Sequence, residues 1–382
     1  MSLSPIPITR PWMGEEEVAA CRDPILSGWM SQGPKVAEFE RRFADYVGVP
    51  HAVAVTSCTT GLHLALIAAG VGPGDEVLVP SFTWVATANA VLYVNATPVL
   101  CDISLESFNL DPADAEARIT ERTRAILPVH LFGLPAPMDE IHALADKYNL
   151  KIVEDAACSL GGVYRGTHTG AWGHPAAFSL HPRKSITVGE GGMVTTHSEE
   201  QYVLLQMLRS HGAAVSDLER HSKGEGGLPS FGVLGYNYRM TDLQAAVGLV
   251  QMQRLPEIMA RRQARARRYD QAFGDLPHLA TPKVPEGCVH GYQSYVCLLS
   301  EDAPIGRDAL MRELSADGIA TRPGTHAVHM LDYYRKRFGY RTEDLPASAA
   351  AAERSLAIPL FPTMTDEEQE RVIAAMRARL GG

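Results

Sequence analysis

Short apolar runs alternate with amphipathic stretches from residue 51 to about residue 200, and this alternation constrains the fold more than any other feature of the chain. One of the stretches between them, MDEIHALADKYN at 138–149, has the apolar spacing of a helix. Strands that alternate with helices are typical of a mainly parallel sheet with helices on both faces. We therefore predict an α/β fold whose strands lie in AVAV, EVLVP, TPVLCDI, AILPVHL, KIVED, AAFSL and MVTT.

The residues before these strands are predicted to form an N-terminal arm and a helix, and the residues after them a second domain. Residues 1–35 are expected to be an irregular N-terminal arm, and the helix after it ends at Gly48. The apolar face of that helix consists of Val36, Phe39, Phe43 and Val47. We predict a large domain over residues 1–250 and a smaller α+β domain over residues 251–382, which includes the connecting helix.

A capped helix is expected to lead towards the second domain. Thr241 and Gln244 form a capping box for the run LQAAVGLVQMQRL. A separate basic helix, PEIMARRQARARRYDQAFG, is predicted next, with its arginines on a solvated face. The chain is expected to end in the helix DEEQERVIAAMRARL.

Residues 211–235 are rich in glycine, serine and charged residues and have no periodicity. A loop of that length inside a compact enzyme is usually functional. We expect this loop at the mouth of the substrate site or at a dimer contact.

Composition excludes several classes of partner. The chain has 382 residues and a formal net charge of −9, which leaves no basic face for nucleic acid. No apolar run approaches the length of a membrane span, and MSLSPIPITRPW does not have the pattern of a signal peptide. The six cysteines lack metal-ligand spacing, so we expect reduced thiols in a cytoplasmic protein.

Lys184 lies in a short connection between two predicted strands, AAFSL and MVTT, beside the turn GEGG. An amine in this setting can form a Schiff base with an aldehyde cofactor. Burial and a neighbouring cation, for which Arg183 is the candidate, would lower its pKa towards the neutral form that attacks. A lysine that is merely solvated beside a glycine turn is the commoner alternative.

Two further segments contain groups that suit such a cofactor. The strand KIVED ends in Glu154 and Asp155, and ligands of open parallel sheets lie beyond the carboxyl ends of the strands. A buried Asp155 could pair with a protonated pyridine nitrogen, although an aspartate that caps a turn is common. The segment SCTTG at 57–61 opens a helical run, where hydroxyls and free amides either bind a phosphate or cap the helix.

A phosphate site, an aromatic residue, a strand-end aspartate and a loop lysine, in that order, are typical of pyridoxal phosphate enzymes of the aspartate aminotransferase type. The chain also resembles the DegT/DnrJ/StrS family of sugar aminotransferases from about residue 8 to about residue 375. The resemblance implies the fold type I of pyridoxal phosphate-dependent transferases, with a mainly parallel seven-stranded sheet. It is carried by SGWMSQGPKVAEFE, GDEVLVPSFTWVATANAV, PVHLFGLPAPMD, EDAACSLGG, FSLHPRKSITVGEGGMV and GYNYRMTDLQAAVG.

The resemblance assigns a role to individual residues of this chain. Lys184 corresponds to the Schiff-base lysine, Asp155 to the partner of the pyridine nitrogen, and Trp84 to the aromatic residue that stacks on the cofactor ring. A core aromatic residue is the alternative for Trp84. The phosphate ligands implied are the amide of Cys58, Thr59, Ser179, and Asn237 from the partner subunit of a homodimer with shared active sites.

Two positions depart from the family pattern. Cys158 stands where the family often has Gln or His near the phenolic oxygen of the cofactor, which weakens the hydrogen bond expected there. Cys58 replaces a frequent glycine of the phosphate loop, so only its backbone amide is expected to contact the phosphate. Neither change affects the roles implied for Lys184 and Asp155.

His326 and His329 in THAVH have the spacing of metal ligands on a helix. No third ligand is apparent in the sequence, and Pro323 and Gly324 favour a loop there. We therefore expect no metal site and a loop that faces the substrate, as the resemblance also implies.

The function implied is transamination in two halves. Glutamate would give its amino group to pyridoxal phosphate, and the resulting pyridoxamine phosphate would give it to the 3- or 4-keto group of a nucleotide-linked 6-deoxy sugar. Lys184 would move the proton as general base and acid. Candidate contacts for the nucleotide diphosphate are Lys35, Arg239 and Arg322, which the sequence cannot rank.

Three alternatives stay open. A pyridoxamine phosphate-dependent sugar dehydratase shares the implied fold, but such members generally lack the lysine that is present here as Lys184. An aminotransferase for a cyclitol or an aminobenzoate-type substrate would keep the same site. A non-catalytic regulator on this fold would be expected to have lost Lys184 or Asp155.

Overall fold

The computed structural model describes residues 4–213 and 230–381, and a mainly parallel sheet lies at its centre. Seven strands within the described residues make up this sheet, with spatial order β3-β2-β4-β5-β6-β7-β1. They are β1 His51–Val55, β2 Glu76–Pro80, β3 Thr97–Cys101, β4 Thr123–Ile126, β5 with its halves Lys151–Ile152 and Glu154–Asp155, β6 Ala176–Ser179 and β7 Gly192–Thr196.

Strand β5 joins the two halves of the sheet. Its first half pairs in parallel with β4 and its second half with β6. Strand β7 runs antiparallel to both β6 and β1, and the other pairs in the sheet are parallel. The predicted mainly parallel, seven-stranded sheet is confirmed.

Helices cover both faces of the sheet, because successive residues of a strand point to opposite sides. Val53 and Val55 pack in one apolar cluster with helix residues such as Leu62, whereas Ala52 and Ala54 pack in another with residues such as Phe39. The helices before the long connecting helix are α1 Glu15–Ala20, α2 Arg22–Ser27, α3 Pro34–Val47, α4 Cys58–Ala68, α5 Ala86–Tyr93, α6 Pro112–Ala117, α7 Met138–Tyr148 and α8 Glu199–Arg209.

The N-terminal region differs from the prediction. The arm over residues 1–35 was expected to be irregular, but it contains α1 and α2. Glu17 stabilises α1 by accepting a hydrogen bond from the backbone amide of Gly14 at 2.7 Å and by pairing with Arg254 at 2.6 Å. Helix α1 is thus held by a distant arginine, which a local pattern does not reveal.

The connecting helix also differs from the prediction. Helix α9 spans Asp242–Phe273 without a break at Pro256, so the two predicted helices are one, and the predicted capping box of Thr241 with Gln244 is present. Arg262 was expected on a solvated face, but it is buried, and its guanidinium donates to three backbone carbonyls. Burial lowers the pKa of Arg262 to about 10.

The C-terminal part has a core of its own, which includes Ile6 from the N-terminal arm and Phe273 from the end of α9. Its sheet consists of β8 Leu279–Ala280, β9 Tyr295–Leu299 and β10 Ser355–Ile358. Its helices are α10 Arg307–Ala316, α11 Asp332–Phe338, α12 Pro346–Arg354 and α13 Asp366–Leu380. The limits of the two domains stay a prediction.

The chain also contains several short helical turns and strands. Single turns of 3-10 helix occur at Leu131–Gly133, Val328–Met330 and Thr342–Asp344, and short paired strands at Phe82–Thr83 with His326–Ala327 and at Val163–Tyr164, Thr167–His168 and Cys288–Val289. Most of the predicted loop at 211–235 lies outside the described residues. In the part of the chain that is described, no helix has both the length and the apolar character needed to cross a bilayer.

Candidate active site

A cavity of about 510 Å³ lies beyond the carboxyl ends of the parallel strands, between the central sheet and the C-terminal part. Its volume is in the range of sites that bind a cofactor or a small substrate. Of the eight residues predicted for the site, seven line this cavity: Cys58, Thr59, Trp84, Asp155, Cys158, Ser179 and Lys184.

Lys184 lies in the connection after β6, and its Nζ is 3.1 Å from the Sγ of Cys158. Burial lowers the pKa of Lys184, but Cys158, Cys58 and Asp155 together raise it, so that the net pKa lies above its usual value. The prediction that Arg183 and burial would lower this pKa is therefore wrong for the chain without ligand. The groups nearest the amine favour its charged form, and these groups were not apparent from the neighbouring sequence.

Asp155 is buried at the end of β5 and has two hydrogen-bond donors. The hydroxyl of Thr87 donates to Oδ2 at 2.8 Å, and the backbone amide of Ala157 donates to Oδ1 at 3.0 Å. Burial raises the pKa of Asp155 above its usual value, and these two hydrogen bonds and the charge of Lys184 offset only part of that rise. The contact with Ala157 is that of a turn cap, so Asp155 both caps the turn and faces the cavity.

The start of α4 presents free backbone amides to the cavity. Ser57 caps the helix by accepting from the amide of Thr60 at 3.2 Å, while the amides of Cys58 and Thr59 have no acceptor within residues 4–213 and 230–381. The thiol of Cys58 points towards β6, 3.5 Å from the carbonyl of Ala177. Only the backbone of Cys58 is therefore available to a ligand in the cavity.

Gly192 allows strand β7 to pass close to this helix start. A Cβ atom at Gly192 would lie 2.5 Å from the carbonyl carbon of Ser57 and 2.7 Å from the amide nitrogen of Cys58. Since side chains do not tolerate such contacts with backbone, the last glycine of GEGG is needed to keep the amides in place. The sequence indicated a turn here but not this second role.

Trp84 lies at the edge of the cavity with 54% of its surface exposed. Its ring is in tilted contact with His326 at 5.4 Å between centroids, and the guanidinium of Arg183 lies 6.0 Å from its centre. An exposed tryptophan at a cavity is available to stack on a planar ligand. The alternative of a core residue at a strand end is excluded.

Ser179 and Asn237 lie in different surroundings. Ser179 ends β6 and lines the cavity beside Lys184. Asn237 is exposed and outside the lining of this chain's own cavity, where it forms a backbone bridge with Ser210. This position leaves the predicted contact with a partner subunit untested.

Residues 11–377 match the model of the DegT/DnrJ/EryC1/StrS aminotransferase family. The chain belongs to this aminotransferase family. As a member, it is a pyridoxal phosphate-dependent aminotransferase with the fold type I architecture.

Solved structures of aminotransferases share the fold over nearly the whole chain. DesV of S. venezuelae, solved with a ketimine intermediate, is 34% identical with a TM-score of 0.89, and the match covers 98% of each chain. Spr1654 of Streptococcus pneumoniae, assigned as a sugar aminotransferase and solved in its PMP form, is 30% identical with a TM-score of 0.92 over 98% of this chain and 99% of that one. TlmJ of Streptoalloteichus hindustanus is 32% identical with a TM-score of 0.89 over 98% and 99%.

The cavity of this aminotransferase fits pyridoxal phosphate. The two unsatisfied amides at the start of α4 match an anion, the exposed ring of Trp84 matches a planar ring, and buried Asp155 matches a cationic ring nitrogen. Lys184 lies close enough to Cys158 and Asp155 to share their electrostatic surroundings. The cavity therefore has a group of complementary chemistry for the phosphate, for the ring and for the ring nitrogen of the cofactor.

The histidine pair has separate surroundings. His329 is buried, with Nδ1 2.7 Å from the hydroxyl of Ser81 and Nε2 3.2 Å from the carbonyl of Thr342, whereas His326 is exposed beside Trp84. His326 faces the cavity, from a short strand rather than the predicted loop. Among the described residues, no cluster of three or more histidine, cysteine or acidic residues is arranged to hold a metal ion.

Sequence reasoning missed three residues of the site. Thr87 was one turn of helix beyond Trp84 and carried no pattern of its own. Gln293 donates from Nε2 to the backbone carbonyl of Arg183 at 2.7 Å and comes from a distant segment. Gly192 was noticed only as part of a turn, although a doubled glycine at the start of a strand was a signal for close backbone approach.

Proposed function

We propose that this aminotransferase moves an amino group from glutamate to the 3- or 4-keto group of a nucleotide-linked 6-deoxy sugar, in the biosynthesis of amino sugars. The observation that carries the proposal is the convergence of Lys184, Asp155 and the free amides of α4 on one cavity. The likeness to Spr1654, which is assigned as a sugar aminotransferase, supports a sugar acceptor.

We assign the cofactor contacts residue by residue. The amides of Cys58 and Thr59 and the hydroxyl groups of Thr59 and Ser179 would hold the phosphate. Trp84 would cover one face of the ring, and Asp155 would hold the proton on the ring nitrogen. Cys158 would lie beside the phenolic oxygen as a weaker hydrogen-bond partner than an amide or imidazole.

The bound cofactor supplies an aldehyde that accepts the amino group and a ring that delocalises electrons from the deprotonated carbon. With the cofactor bound, the neutral Nζ of Lys184 would accept the proton from the substrate carbon and donate it to the cofactor carbon, as general base and then general acid. The hydrogen bonds that Thr87 and Ala157 donate to the two oxygens of Asp155 favour its charged form and oppose the rise in its pKa that burial causes. Gly192, directly beside the start of α4, keeps side-chain atoms away from the amides that would hold the phosphate.

The enzyme is proposed to act as a homodimer with shared active sites. Asn237 is exposed outside its own cavity, and large apolar side chains are exposed near it in the chain, among them Phe231 and Leu234. A second subunit would cover such side chains and bring its Asn237 to the phosphate. The six free thiols agree with a reducing compartment, and we propose the cytoplasm.

Mixed dimers test the sharing of sites. Lys184→Ala and Asn237→Asp subunits are each expected to be nearly inactive, the second because a carboxylate repels the phosphate. In a mixed dimer, one site would collect both changes and the other neither, so activity should recover to about one intact site per mixed dimer. If mass measurements show mixed dimers but no activity returns, Asn237 does not act across the interface.

The acceptor is tested directly with the purified enzyme. Loaded with pyridoxamine phosphate, it is offered a panel of nucleotide 3-keto and 4-keto sugars, a keto-cyclitol and no acceptor. The proposal expects a product whose mass shows a keto group replaced by an amine, in the nucleotide sugar samples alone. A product of the cyclitol only would contradict the proposed acceptor and leave the aminotransferase activity intact.

A further inference from the structure

Cys158 and Lys184 form a side-chain pair in the lining of the cavity. The Nζ of Lys184 lies 3.1 Å from the Sγ of Cys158, and both residues border the cavity. Within residues 4–213 and 230–381, none of the other five cysteines has a lysine as a hydrogen-bond partner. The pair therefore brings an oxidisable sulfur into contact with a nucleophilic nitrogen.

Two turns at neighbouring strand ends set this contact. The amide of Lys184 donates to the carbonyl of His181 at 2.8 Å, just after β6. Beside Cys158, the amide of Ser159 donates to the carbonyl of Ala156 at 3.1 Å, just after β5. Strands β5 and β6 are paired in the sheet, so their ends place the two turns side by side. The flexible lysine side chain can then move still closer to the sulfur.

Cys158 is accessible to a small oxidant. It is half-buried, and a peroxide can reach it through the cavity of about 510 Å³. Reactive cysteines typically lie in such partly exposed positions beside a cation. Cys58, Cys101 and Cys297 are buried instead, and burial raises the pKa of each of these thiols. An oxidant that enters the cavity therefore meets the sulfur of Cys158.

Cys58 is a poorer partner than Lys184 for an oxidised Cys158. Its thiol lies 3.5 Å from the carbonyl of Ala177 in β6. Burial raises its pKa well above the usual value, and thiols attack an oxidised sulfur as thiolates. The amine of Lys184 is already in contact with the sulfur, so a bond from nitrogen to sulfur is favoured over a disulfide.

We propose that a peroxide converts Cys158 and Lys184 into a covalent bridge, with a bond between Sγ and Nζ. In the first step, the sulfur attacks one peroxide oxygen and the O–O bond breaks, which gives a sulfenic acid and water. In the second step, the neutral amine attacks the sulfur and the S–O bond breaks. The leaving hydroxide takes one proton from the nitrogen and departs as water. The sulfur is oxidised by two electrons, and the peroxide is reduced.

Oxidation of Cys158 itself promotes the second step. Burial lowers the pKa of Lys184, and Cys158 raises it more than any other group, so the net pKa lies above its usual value. A sulfenic acid lacks the negative charge of a thiolate, so the contribution of Cys158 is lost once its sulfur is oxidised. A larger fraction of Lys184 is then neutral and able to attack.

The form of the cofactor decides whether the amine is free. In the pyridoxal phosphate form, the nitrogen of Lys184 is bonded to the cofactor carbon, if Lys184 has the Schiff-base role proposed above. In the pyridoxamine phosphate form, the cofactor carries the amino group and Lys184 is free beside Cys158. The bridge is therefore expected in the second form, where it removes the proton carrier. A thiol reductant would reverse it by attacking the sulfur and releasing the amine.

The test exposes the holoenzyme in each of its two cofactor forms to hydrogen peroxide. Intact mass and peptide mapping without reductant detect the bridge as one linked species that lacks two hydrogen atoms. A dithiol is then added, and the mass measurement is repeated. Activity is followed in parallel, as the fraction of each sample's own untreated rate.

The pyridoxamine phosphate form is expected to yield linked peptides that contain Cys158 and Lys184, in proportion to the activity lost. The pyridoxal phosphate form should lose activity at least about tenfold more slowly, and the dithiol should restore both mass and activity. A sulfinic acid at Cys158 without a link, or no change at Cys158, would overturn the proposal. Equal linking in both forms would contradict the control by the cofactor. The mass measurement does not involve the sugar acceptor, so failure of the proposed acceptor leaves this test intact.

Two variants separate the sulfur from the amine. Cys158→Ser keeps a hydrogen-bonding group beside Lys184 but cannot form the sulfenic acid, so no link should appear. Lys184→Ala keeps the sulfur, and its Cys158 should accumulate as a sulfenic acid that dimedone labels. If the parent enzyme is labelled by dimedone as completely as this variant, Lys184 does not capture the oxidised sulfur and the proposal is wrong.

Two further variants test the other thiols. Cys58→Ala should still form the link, and its loss there, with Cys58 linked to Cys158 in the parent, would replace the bridge by a disulfide. Cys21→Ser is the matched control, because Cys21 is also half-buried but lies outside the cavity lining. It should be linked and inactivated at the rate of the parent enzyme. Protection by Cys21→Ser would contradict the assignment to Cys158.

Discussion

Glu154 and Asp155 are adjacent buried carboxylates at the end of strand β5, and their side chains lie on opposite sides of the strand in different surroundings. Asp155 faces the cavity, where Lys184 lies close enough to affect its pKa. Glu154 faces the opposite side, where Nε2 of His130 lies 2.9 Å away and the amide of Gly170 donates at 2.8 Å. Because Nδ1 of His130 accepts from Ala136, the ring proton is on Nε2 and is donated to Glu154.

Two neighbouring residues at one strand end thus have separate roles, one in the fold and one in the site. Glu154 connects three segments of the large core and has no opening to a ligand. Asp155 has donors from a helix and a turn that hold it in place, while it faces a cavity that a ligand can enter. We therefore expect changes on the cavity side to affect chemistry and changes on the core side to affect stability.

The largest effect is expected at Lys184 on the cavity side. Lys184→Ala should still bind the cofactor through the phosphate contacts and Trp84, but turnover should fall by orders of magnitude because the covalent and proton-transfer roles are lost together. Borohydride reduction of the parent enzyme and peptide mapping should find the pyridoxyl label on Lys184. Lys147→Ala, on the surface beside Glu116, is the control, and a label on another lysine would refute the assignment.

Asp155→Asn is expected to have the next largest effect. The amide removes the charge while it can still contact Thr87 and Ala157, so the half-reaction with glutamate should slow by about 100-fold with little change in the free energy of unfolding. Single-turnover absorbance and urea unfolding measure the two quantities. A half-reaction at the normal rate would mean that Asp155 is a turn cap only.

The raised pKa of Lys184 predicts a pH dependence of cofactor loading. Only the neutral amine reacts, and its fraction grows as pH rises, so the rate of loading onto the ligand-free enzyme should increase about tenfold per pH unit below the pKa. Stopped-flow absorbance between about pH 7 and pH 9 measures this rate. Cys158→Ala removes a group that raises the pKa and should shift the curve to lower pH, unlike Cys21→Ala. A rate independent of pH would contradict the assigned direction.

Glu154→Gln should have the smallest effect on chemistry. The neutral side chain weakens the hydrogen bonds from His130 and Gly170 and leaves a buried amide without a partner, which lowers the free energy of unfolding by about 1–3 kcal/mol. The half-reaction should change by less than about 3-fold. If it slows as much as in Asp155→Asn, the two sides of β5 are not separate in function.

Sequence patterns predicted the local elements well. The strands and the capping box at Thr241 are where they were expected, because strand periodicity and caps depend on residues close together in the chain. The single helix through Pro256 was missed because tertiary packing outweighs the local cost of a proline. Helix α1 was missed because Arg254, far along the chain, supports it through Glu16 and Glu17.

In the candidate site, too, properties set by neighbouring residues could be predicted and properties set by distant residues could not. Its chemistry could be predicted from Lys184, Asp155 and the segment SCTTG, since each lies in a local setting that exposes a reactive group at a strand or helix end. The direction of the Lys184 pKa could not be predicted, because it depends on Cys158 and Asp155, which approach it only in the folded chain.

The order of the strands, the family and the residues that suit pyridoxal phosphate could be predicted from the sequence, because these properties depend on local pattern and residue type. Only in the folded chain is it settled which neighbouring carboxylate faces the cavity and which arginine is buried among backbone carbonyls. These outcomes depend on which distant segments pack together. Burial and electrostatic interactions act through space, so they are defined only once the chain has folded.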